Sequence, residues 1–541
     1  MKLKFVAALL AGSALSMAAP AFAQASAAQD QPAPTEPDQS DATADATIAN
    51  ARAVDDAQAK IELLQAQVEA LQASIEQVKA SMVKATPTWK GGPQFDDKEA
   101  GFSFKPKGLI QWDAGYVGFP RGNELRSGVA GTNTGGLNYQ NLGWNSRGRR
   151  LTIGADGTIP GGFRYSAEFN FAQGGVDYED IYLAYDVKNS PLTLQIGHIY
   201  PFSSLETMTS SKYTSFMERA GITDAFNYNR RLGLAFVAND KKADSWTVQG
   251  GIFNEPINDA SFAHTGWQAS LRAVYSPMLG DTRLHVGANF QHRENRRESR
   301  GATYQARPYT QTTDQRFIST GAIAAKGDDV AGVELAAIHK SLHFAGEAQK
   351  VWLHGTYNAA DFLAQNSQLD TNDLAAGSVY NGNPSFWGGY AEIGYFLTGE
   401  TRNYKGGAFQ RVKVLHPFSD GGWGAFQVNG RVDYVTLTDN VGGNLIAPPA
   451  GASGYGLGSN STLVNGGKQL GLLGNIIWNP TDYVRFMAQY DHVHLTGGPR
   501  GTVSTLGPPA VIGLFPVGTT TPPDERKFNV DVFTMRAQVD F

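Results

Sequence analysis

The sequence contains no cysteine, and it has no long apolar run beyond its first residues. With Cys 0 among 541 residues, a disulfide framework is excluded. No segment after residue 23 approaches the run of about 18 apolar residues that marks a membrane-spanning helix. If the mature chain is embedded in a membrane, it must therefore be a closed β-barrel, because a barrel also satisfies every backbone hydrogen bond in lipid.

The sequence also lacks an excess of one charge and the local signatures of common enzymes. A net charge of -5 and a pI near 6.1 argue against a bulk nucleic-acid binder. There is no H-E-x-x-H, no P-loop and no G-x-S-x-G, so we predict no enzyme and no metal or cofactor site. His492 and His494 fall on an outward-facing strand position, where a catalytic His of a barrel phospholipase is one interpretation. Membership of the interfacial girdle is the commoner one.

The N-terminal residues divide by composition into two segments. "MKLKFVAALLAGSALSMAAPAFAQ" has two lysines, a short apolar run and the Ala-Phe-Ala cleavage pattern, which predicts a signal peptide over residues 1–23. A membrane anchor is less favoured, because the apolar run is shorter than the roughly 20 residues that span a bilayer. Residues 24–47 are rich in Ala, Gln, Asp and Pro, and this predicts a flexible linker.

Residues 48–86 carry a heptad pattern. The apolar positions, at alternating spacings of three and four, are Val54, Ala57, Ile61, Leu64, Val68, Leu71, Ile75, Val78 and Met82. This pattern predicts a periplasmic α-helical coiled coil that ends before Pro87. The residue types favour two strands whereas the barrel favours three, and a single helix packed on its own barrel is the alternative. Periplasmic or cell-wall contact through the coiled coil is a further hypothesis.

The terminal segment "NVDVFTMRAQVDF" alternates between apolar and polar residues. This is the pattern of a β-strand with one apolar face and one polar face. "GAFQVNGRVDYV" and "DYVRFMAQYDHV" repeat it. Many such strands, closed by a terminal strand, predict an all-β transmembrane barrel over residues 101–541, with apolar side chains toward lipid and polar ones toward the lumen. Phe541 then belongs to the lipid-facing surface.

Sixteen antiparallel strands are predicted in this domain. They lie near residues 104–118, 148–157, 163–172, 178–187, 191–199, 230–238, 245–253, 267–275, 282–293, 330–338, 341–358, 387–399, 422–437, 468–478, 482–494 and 528–541. Short turns mostly follow even-numbered strands and long loops odd-numbered ones, as in outer-membrane barrels. The short connection at residues 174–175 and the long one at residues 400–421 do not fit.

Five segments carry a family resemblance: "RRLTIGADG", "SSLETMTSSKYTSFMERAG", "GGYAEIGYFLTGETRNYKGGAFQRVKV", "QLGLLGNIIWNPTDYVRFMAQYDHV" and the terminal "RAQVDF". Over about residues 103–541 the chain resembles the phosphate-selective porin O and P family, most specifically in the Phe-Leu-Thr-Gly-Glu run at residues 396–400. The resemblance implies a homotrimer of sixteen-stranded barrels in the outer membrane of a Gram-negative bacterium. It also implies passage of small anions, most often phosphate or polyphosphate, along a ladder of arginines.

The residues themselves offer donors for such an anion. Arg presents a planar, permanently charged fork that fits phosphate oxygens, and successive weak sites let an ion move on. The predicted anion pathway, taken from inward strand positions and from the third and fifth loops, consists of Arg150, Arg164, Lys212, Arg219, Arg231, Arg293, Arg296, Arg297, Arg300 and Arg307. The alternatives are a solvated charge run in the fifth loop and wall-paired charges in the third. Inward carboxylates nearly balance the inward arginines.

Three functions remain open at this point. The first is a selective channel for small anions, and the second is a general diffusion porin with little selectivity. The third is an envelope tether in which the barrel mainly anchors the coiled coil.

Overall fold

A computed structural model gives the structure of the chain. It describes residues 42–85, 88–89, 92–97, 99–118, 121–122, 142–257, 265–295, 302–314, 316–323, 325–356, 378–380, 383–439, 443–445, 464–497 and 527–541. The chain divides into two units, Met1–Val83 and Lys84–Phe541, and each is described by itself.

The first unit contains one long helix, α1 (Ala42–Ala85). Its 44 residues include neither Gly nor Pro and are rich in Ala, Gln and Glu, which favour helix. The helix begins inside the predicted linker, so residues 42–47 are helical rather than flexible, and it ends before Pro87. The predicted signal peptide (residues 1–23) and residues 24–41 lie outside the described residues. Among the helices that the structure describes, none is long and apolar enough to cross a bilayer.

The apolar seam of α1 is uncovered in the single chain. Six of its large side chains are 50% to 60% exposed: Val54, Ile61, Leu64, Val68, Leu71 and Ile75. A seam with this spacing can bury its apolar area only against another surface. The coiled coil itself stays a prediction.

The second unit is a closed, antiparallel barrel of sixteen strands. The strands are β1 (Phe102–Val117), β2 (Gly143–Ile159), β3 (Phe163–Asn170), β4 (Asp177–Asp186), β5 (Leu192–Ile199), β6 (Arg231–Asn239), β7 (Trp246–Phe253), β8 (Thr265–Tyr275), β9 (Thr282–Asn295), β10 (Ala325–His339), β11 (Leu342–Thr356), β12 (Ser385–Phe396), β13 (Ala425–Asp439), β14 (Val464–Thr481), β15 (Val484–Thr496) and β16 (Lys527–Asp540). Each strand pairs with the next, and β16 pairs with β1. The predicted barrel is confirmed.

Shorter elements lie before the barrel and in its connections. Two helices, α2 (Leu205–Met208) and α3 (Gly221–Phe226), follow β5. The remaining elements are the strands Thr88–Trp89, Pro93–Asp97, Arg121–Gly122, Met278–Leu279, Ala302–Ala306, Ile318–Ile323, Ser378–Tyr380, Tyr404–Lys405, Ala408–Phe409 and Gly443–Leu445, and the 3-10 turns Ala172–Gly174 and Phe418–Asp420.

The strands of the barrel are apolar outside and polar inside. In β16, the side chains of Met535 and Val539 are 43% and 45% exposed. The side chains of Arg536 and Gln538, which lie between them in the sequence, are 3% and 2% exposed. This inverts the pattern of a soluble protein, because the outer surface faces lipid and the polar side chains pack against one another in the lumen. The orientation predicted from the terminal segment is confirmed.

The last residue completes the closure of the barrel. The backbone N–H and carbonyl of Phe541 exchange hydrogen bonds of 3.1 Å with Gly108 at the start of β1. A Cβ at position 108 would lie 2.6 Å from the Phe541 ring, so only glycine leaves room for that ring. The terminal aromatic side chain therefore covers the seam between the first and last strands.

Two loops fill part of the lumen with an apolar core. They are loop L3 (residues 200–230), which contains α2 and α3, and the described residues of loop L5 (residues 302–314 and 316–323). The rings of Phe226 in α3 and Tyr304 in L5 have centroids 6.2 Å apart, and Tyr304 lies 5.3 Å from Phe386 of β12. All three side chains are buried. The core of the unit thus lies where the loops meet the inner wall.

The connection between β12 and β13 (residues 397–424), which we call the inward connection, also enters the lumen. It forms a hairpin that turns at Gly406 and Gly407, whose φ angles of 62° and 80° suit the tight turns of hairpins. Arg272 on the inner face of β8 donates a hydrogen bond of 2.8 Å to the carbonyl of Gly407. The inward connection is longer than the short turns predicted at this end of the barrel. Its folding into the lumen explains this length.

Candidate functional site

A cavity of about 1050 Å³ lies between L3 and the inner faces of β1–β5, with part of L5 at one end. Eight cationic side chains line it: Lys107, Arg149, Arg150, Lys212, Arg219, Arg230, Arg307 and Arg316. Seven carboxylates also line it: Asp156, Glu168, Asp177, Glu179, Asp180, Glu218 and Asp224. The formal charges nearly balance, so the pairing of each group decides which charge an entering ion meets.

Lys107 lies toward the end of the barrel at which short turns join the strands, called here the short-turn end, and it is paired with carboxylates. Lys107 Nζ of β1 lies 2.8 Å from Asp156 Oδ1 of β2 and 3.0 Å from Glu168 Oε2 of β3. It also donates to Ser166 Oγ at 2.9 Å. One ammonium group therefore neutralises a good part of two carboxylates.

Glu218 of L3 is held by arginines on both sides. Arg149 donates two hydrogen bonds to its carboxylate, at 2.8 and 3.0 Å, and Arg536 of β16 donates another at 2.7 Å. Burial raises the pKa of Glu218, but Arg149 and Arg536 outweigh burial and hold that pKa well below its usual value. Glu218 is thus a carboxylate whose negative charge is shared between two guanidinium groups.

The remaining carboxylates near the cavity are mostly shared in the same way. Arg230, at the end of L3, pairs with Asp180 at 2.6 Å and with Glu179 of β4. Asp224 of α3 lies 3.5 and 3.9 Å from the guanidinium nitrogens of the two L5 arginines. Asp177 is exposed at the start of β4. Six of the seven carboxylates that line the cavity are therefore in ion pairs.

Three cations in the cavity have no carboxylate within 4.0 Å among the described residues: Arg150, Lys212 and Arg219. Arg150 donates to the side-chain oxygen of Gln111 at 2.8 Å. Arg219 donates to the backbone carbonyls of Glu206, Thr207 and Thr209 at 3.2 to 3.3 Å. These acceptors carry only partial charge, so the positive charge of the three groups stays largely uncompensated.

Lys212 is the cation whose charge is most easily lost. Burial in L3 lowers its pKa, and the nearby cations Lys107 and Arg411 add to this, although Glu168 and Asp540 oppose it. A lysine that is partly stripped of water and lacks a direct partner gains most from an anion that enters the cavity.

A β-bulge in β2 brings two adjacent arginines to the same face. Gln111 of β1 pairs with Arg150 and Trp112 pairs with Gly148, which leaves Arg149 as the extra residue. A bulge interrupts the alternation of side chains, so Arg149 and Arg150 both line the cavity. Alternation alone predicts only Arg150 on the inner face, and this is why the sequence analysis missed Arg149.

L3 is held in place by the opposite wall of the barrel. Arg431 of β13 donates to Glu206 Oε1 of α2 at 2.7 Å, and Ser215 donates to Glu392 Oε1 of β12 at 2.7 Å. The backbone N–H of Gly221, at the start of α3, donates to Asp433 at 3.0 Å. These contacts fix the position of the L3 cations that face the cavity.

Four of the ten predicted pathway residues line the cavity, namely Arg150, Lys212, Arg219 and Arg307. Arg164 does not line it, because it forms a bidentate pair with Asp186 at 2.6 and 2.9 Å near the short-turn end of β3. Arg231 also lies outside the lining and donates to the carbonyl of Asn254 at 3.2 Å.

The structure places Arg293 away from the cavity. It is fully buried, pairs with Asp328 of β10 and donates to the carbonyl of Phe226 at 2.6 Å. Its guanidinium lies 4.1 Å from the centroid of the Tyr228 ring. Arg293 therefore anchors α3 to the wall. Arg296, Arg297 and Arg300 lie outside the described residues.

The sequence analysis left four lining cations out of its predicted pathway: Lys107, Arg149, Arg230 and Arg316. Lys107 lies an even number of residues before Asp113, a buried residue of β1 that faces inward. The alternation of the strand could therefore have identified Lys107 as inward-facing. Arg230 and Arg316 lie in loops, where alternation carries no information.

Comparison with known proteins gives three findings. The family described as phosphate-selective porin O and P matches residues 123–501. An uncharacterized protein of Caulobacter vibrioides is 34% identical over 413 residues, which cover 74% of this chain and 70% of that protein. Porin O of Pseudomonas aeruginosa is 27% identical over 374 residues, 67% of this chain and 78% of that protein.

Among solved structures, the outer membrane channel DcaP of Acinetobacter baumannii is similar at 10% identity with a TM-score of 0.42, covering 84% of this chain and 100% of that chain. The family match spans well over half of the residues and agrees with the resemblance drawn from the sequence. The protein is thus a channel-forming barrel of the outer membrane of a Gram-negative bacterium, and it belongs to the phosphate-selective porin O and P family.

Proposed function

We propose that the chain is a channel selective for small oxyanions of the phosphate class and that these ions pass through the cavity beside L3. The observation that carries the proposal is the pairing of the lining charges. Six carboxylates are in ion pairs, whereas Arg150, Lys212 and Arg219 have no carboxylate partner among the described residues. An entering ion therefore meets positive charge although the formal charges balance.

The order of the cations along the wall suits stepwise passage. Arg307 in L5 lies toward the long-loop end, and Arg150 and Arg219 follow beside L3. Lys107 lies opposite Gly154 of β2, which is four residues nearer the short turn than Arg150. Lys212 lies near Lys107. Each group supplies donors for one or two oxygens, so an ion exchanges one set of donors for the next without a deep binding site.

A general diffusion porin is the second candidate, and the nearly equal numbers of lining cations and carboxylates favour it. The two candidates differ in what a salt gradient does. A channel that prefers anions gives a reversal potential of anionic sign, whereas a general porin gives one near zero.

The test is a reversal-potential measurement in planar bilayers, with phosphate added as competitor to the chloride current. We expect an anionic reversal potential and a chloride current that falls as phosphate is added. A reversal potential near zero together with no competition leaves the general porin. Heat-modifiable mobility in gels, which reports a folded barrel, is required of every preparation.

We also propose that three chains assemble and that their three α1 helices associate through the exposed apolar seam. The family resemblance supports the trimer, and the uncovered residues Val54, Ile61 and Val68 support a helical partner. The tether hypothesis rests on the same seam and adds contact with the periplasm or cell wall.

Deletion of residues 48–82 separates these assembly proposals from the channel proposal. We expect the barrel to insert and to keep its ion preference, while chemical crosslinking yields less trimer. An isolated segment that stays monomeric, together with unchanged crosslinking of the deletion variant, contradicts the coiled coil but not the channel.

A further inference from the structure

Three metal-ligating side chains interrupt the apolar outer surface of the barrel. They are His292 of β9, Asp329 of β10 and His354 of β11, all near the long-loop ends of adjacent strands. The neighbours Arg293 and Asp328 point into the lumen and are fully buried, so His292 and Asp329 point outward by alternation. Lipid-facing positions of such barrels are normally apolar. A cluster of polar side chains there therefore suggests that they bind a ligand.

The geometry of the cluster is that of a partly assembled metal site. One ligand atom from each of the three residues lies within 4.8 Å of the others. His292 Nδ1 is 2.7 Å from Asp329 Oδ1, and His354 Nε2 is 4.0 Å from Asp329 Oδ2. The two imidazole rings are parallel, with an interplanar angle of 4° and centroids 5.3 Å apart. Each side chain is about one-third exposed, so the group lies at the surface of the barrel.

A second observation comes from the ring nitrogen of His354. His354 Nε2 is shielded from solvent and has no hydrogen-bond partner in the part of the chain that the structure describes. An unpaired buried acceptor or donor costs free energy. Gly327 faces this ring across the strand pair, and a Cβ there would lie 2.6 Å from His354 Cε1, so glycine makes room for the ring. The site thus holds a ligand-capable nitrogen without a partner.

We propose that His292, Asp329 and His354 bind one divalent ion of the Zn²⁺ class at the external rim of the barrel. Two imidazole nitrogens and one carboxylate oxygen form a donor set that suits Zn²⁺ and disfavours Ca²⁺ and Mg²⁺, which require oxygen ligands. Zn–N and Zn–O bonds of about 2.0–2.2 Å require the side chains to rotate toward a common point, because the two imidazole rings lie parallel with centroids 5.3 Å apart. Glu294 Oε1 lies 3.4 Å from His292 Nε2, the ring nitrogen opposite Asp329, where it can orient the imidazole as an outer-shell partner. The ion would connect three consecutive strands.

A similar pair elsewhere on the outer surface supplies a matched control. His492 Nδ1 of β15 lies 2.7 Å from Asp531 Oδ1 of β16, the same distance as in the pair of His292 and Asp329. This second pair belongs to no comparable group of three ligands in the described residues. The difference between the two pairs is the second imidazole, from His354.

The experiment uses the full chain in detergent, without a polyhistidine tag and after removal of metals by chelation. Isothermal titration with ZnCl₂ should give one ion per chain, and EPR of the Cu²⁺-loaded protein should show nitrogen ligands. Loss of even an outer-shell partner costs about 10–100-fold in metal affinity. His354→Ala and His292→Ala should therefore each weaken Zn²⁺ binding at least about tenfold. His492→Ala should leave it unchanged.

Several outcomes overturn the proposal. They are the absence of saturable binding at one ion per chain, equal affinity in His354→Ala and the parent, and displacement of Zn²⁺ by a small excess of Ca²⁺. If His354→Ala fails to give heat-modifiable mobility, His354→Gln removes the imidazole while keeping a polar side chain. The anion preference in bilayers is not expected to depend on Zn²⁺, so failure here leaves the channel proposal intact.

Discussion

Arg272 and Arg431, on the side of the lumen formed by β8–β16, and Arg150, on the side formed by β1–β5, all face inward, but their partners differ. On the first side, Arg272 pairs with Glu334 of β10 at 2.7 Å, and Arg431 lies between Glu206 and Glu392. These side chains are 0% to 4% exposed. On the second side, a cavity remains, and Arg150 donates a hydrogen bond to the amide oxygen of Gln111 rather than to a carboxylate. An inward arginine therefore adds net positive charge to the lumen only when no carboxylate neutralises it.

The packed side explains why the cavity side can keep uncompensated charge. L3 and the inward connection meet inside the barrel, where Phe409 N–H donates to Thr209 Oγ1 at 3.3 Å and Arg402 donates to the carbonyl of Tyr213 at 2.8 Å. L3 is thus held from the wall and from the short-turn end at once. Because buried ion pairs and backbone contacts fix the loop, Lys212 and Arg219 need no carboxylate to position them.

The largest expected effect comes from breaking the packed side with Arg431→Gln. The substitution leaves Glu206 and Glu392 buried without their cation, and breaking a buried pair in this way costs about 3–5 kcal/mol. We expect a lower temperature for loss of heat-modifiable mobility. We also expect a larger single-channel conductance, because L3 loses an anchor. Unchanged thermal stability and conductance would show that L3 is held without this network.

The second prediction removes two uncompensated cations together. Arg150→Gln with Lys212→Gln lowers the lining cations from eight to six, against seven carboxylates. We expect the reversal potential to lose its anionic sign at both low and high salt, because ions in a narrow site are partly stripped of water and screening there is weak. The matched control is Arg150→Lys with Lys212→Arg, which keeps both positive charges and should keep the anionic reversal potential.

A third, smaller effect concerns the L5 arginines, which the sequence places together. Arg296, Arg297 and Arg300 replaced by Gln should reduce anion conductance at about 0.01 M salt much more than at about 1 M, since the Debye length falls from roughly 30 Å to about 3 Å. Arg293 is left unchanged, because it is buried against Asp328 and its loss would disturb α3. An equal reduction at both salt concentrations contradicts an entry path of exposed charges.

The barrel was predictable because its information is local. Alternation in β16 shows which side chains face lipid, and turn signals such as "WNPTD" mark where strands reverse. All sixteen predicted strands are present, with boundaries that shift by a few residues at the loop ends. The inward folding of residues 397–424 was not predictable, because it depends on Arg272 and other wall residues far away in the sequence.

The candidate site was only partly predictable, for the same physical reason. Composition and parity identified Arg150, but the bulge that turns Arg149 inward depends on pairing with Gln111 and Trp112 of another strand. Whether an arginine is neutralised also depends on which residue of a neighbouring strand lies beside it. Arg293 illustrates this, because Asp328, its partner, lies 35 residues away along the chain.

The fourth prediction uses the pH dependence of Lys212. Burial lowers the pKa of Lys212, so as pH rises its positive charge is lost at a lower pH than that of an exposed lysine. We expect the anionic reversal potential to decrease on the alkaline side of neutrality. Lys212→Arg should keep the preference, because a guanidinium stays charged over this range. An equal decrease in the parent and in Lys212→Arg assigns the effect to other groups, such as the lining tyrosines.

The smallest expected effect tests the boundary between the two sides. Arg164 is 42% exposed and pairs with Asp186 outside the cavity lining. A pair of this exposure contributes about 0–1 kcal/mol, so Arg164→Gln should leave heat-modifiable mobility nearly unchanged. The reversal potential should also stay close to that of the parent, because Arg164 lies outside the cavity lining and is paired with Asp186. A clear loss of anion preference in Arg164→Gln would show that the residues that set selectivity extend along β3 to the short-turn end. The uncompensated charge of Arg150, Lys212 and Arg219 would then not be sufficient to explain the selectivity.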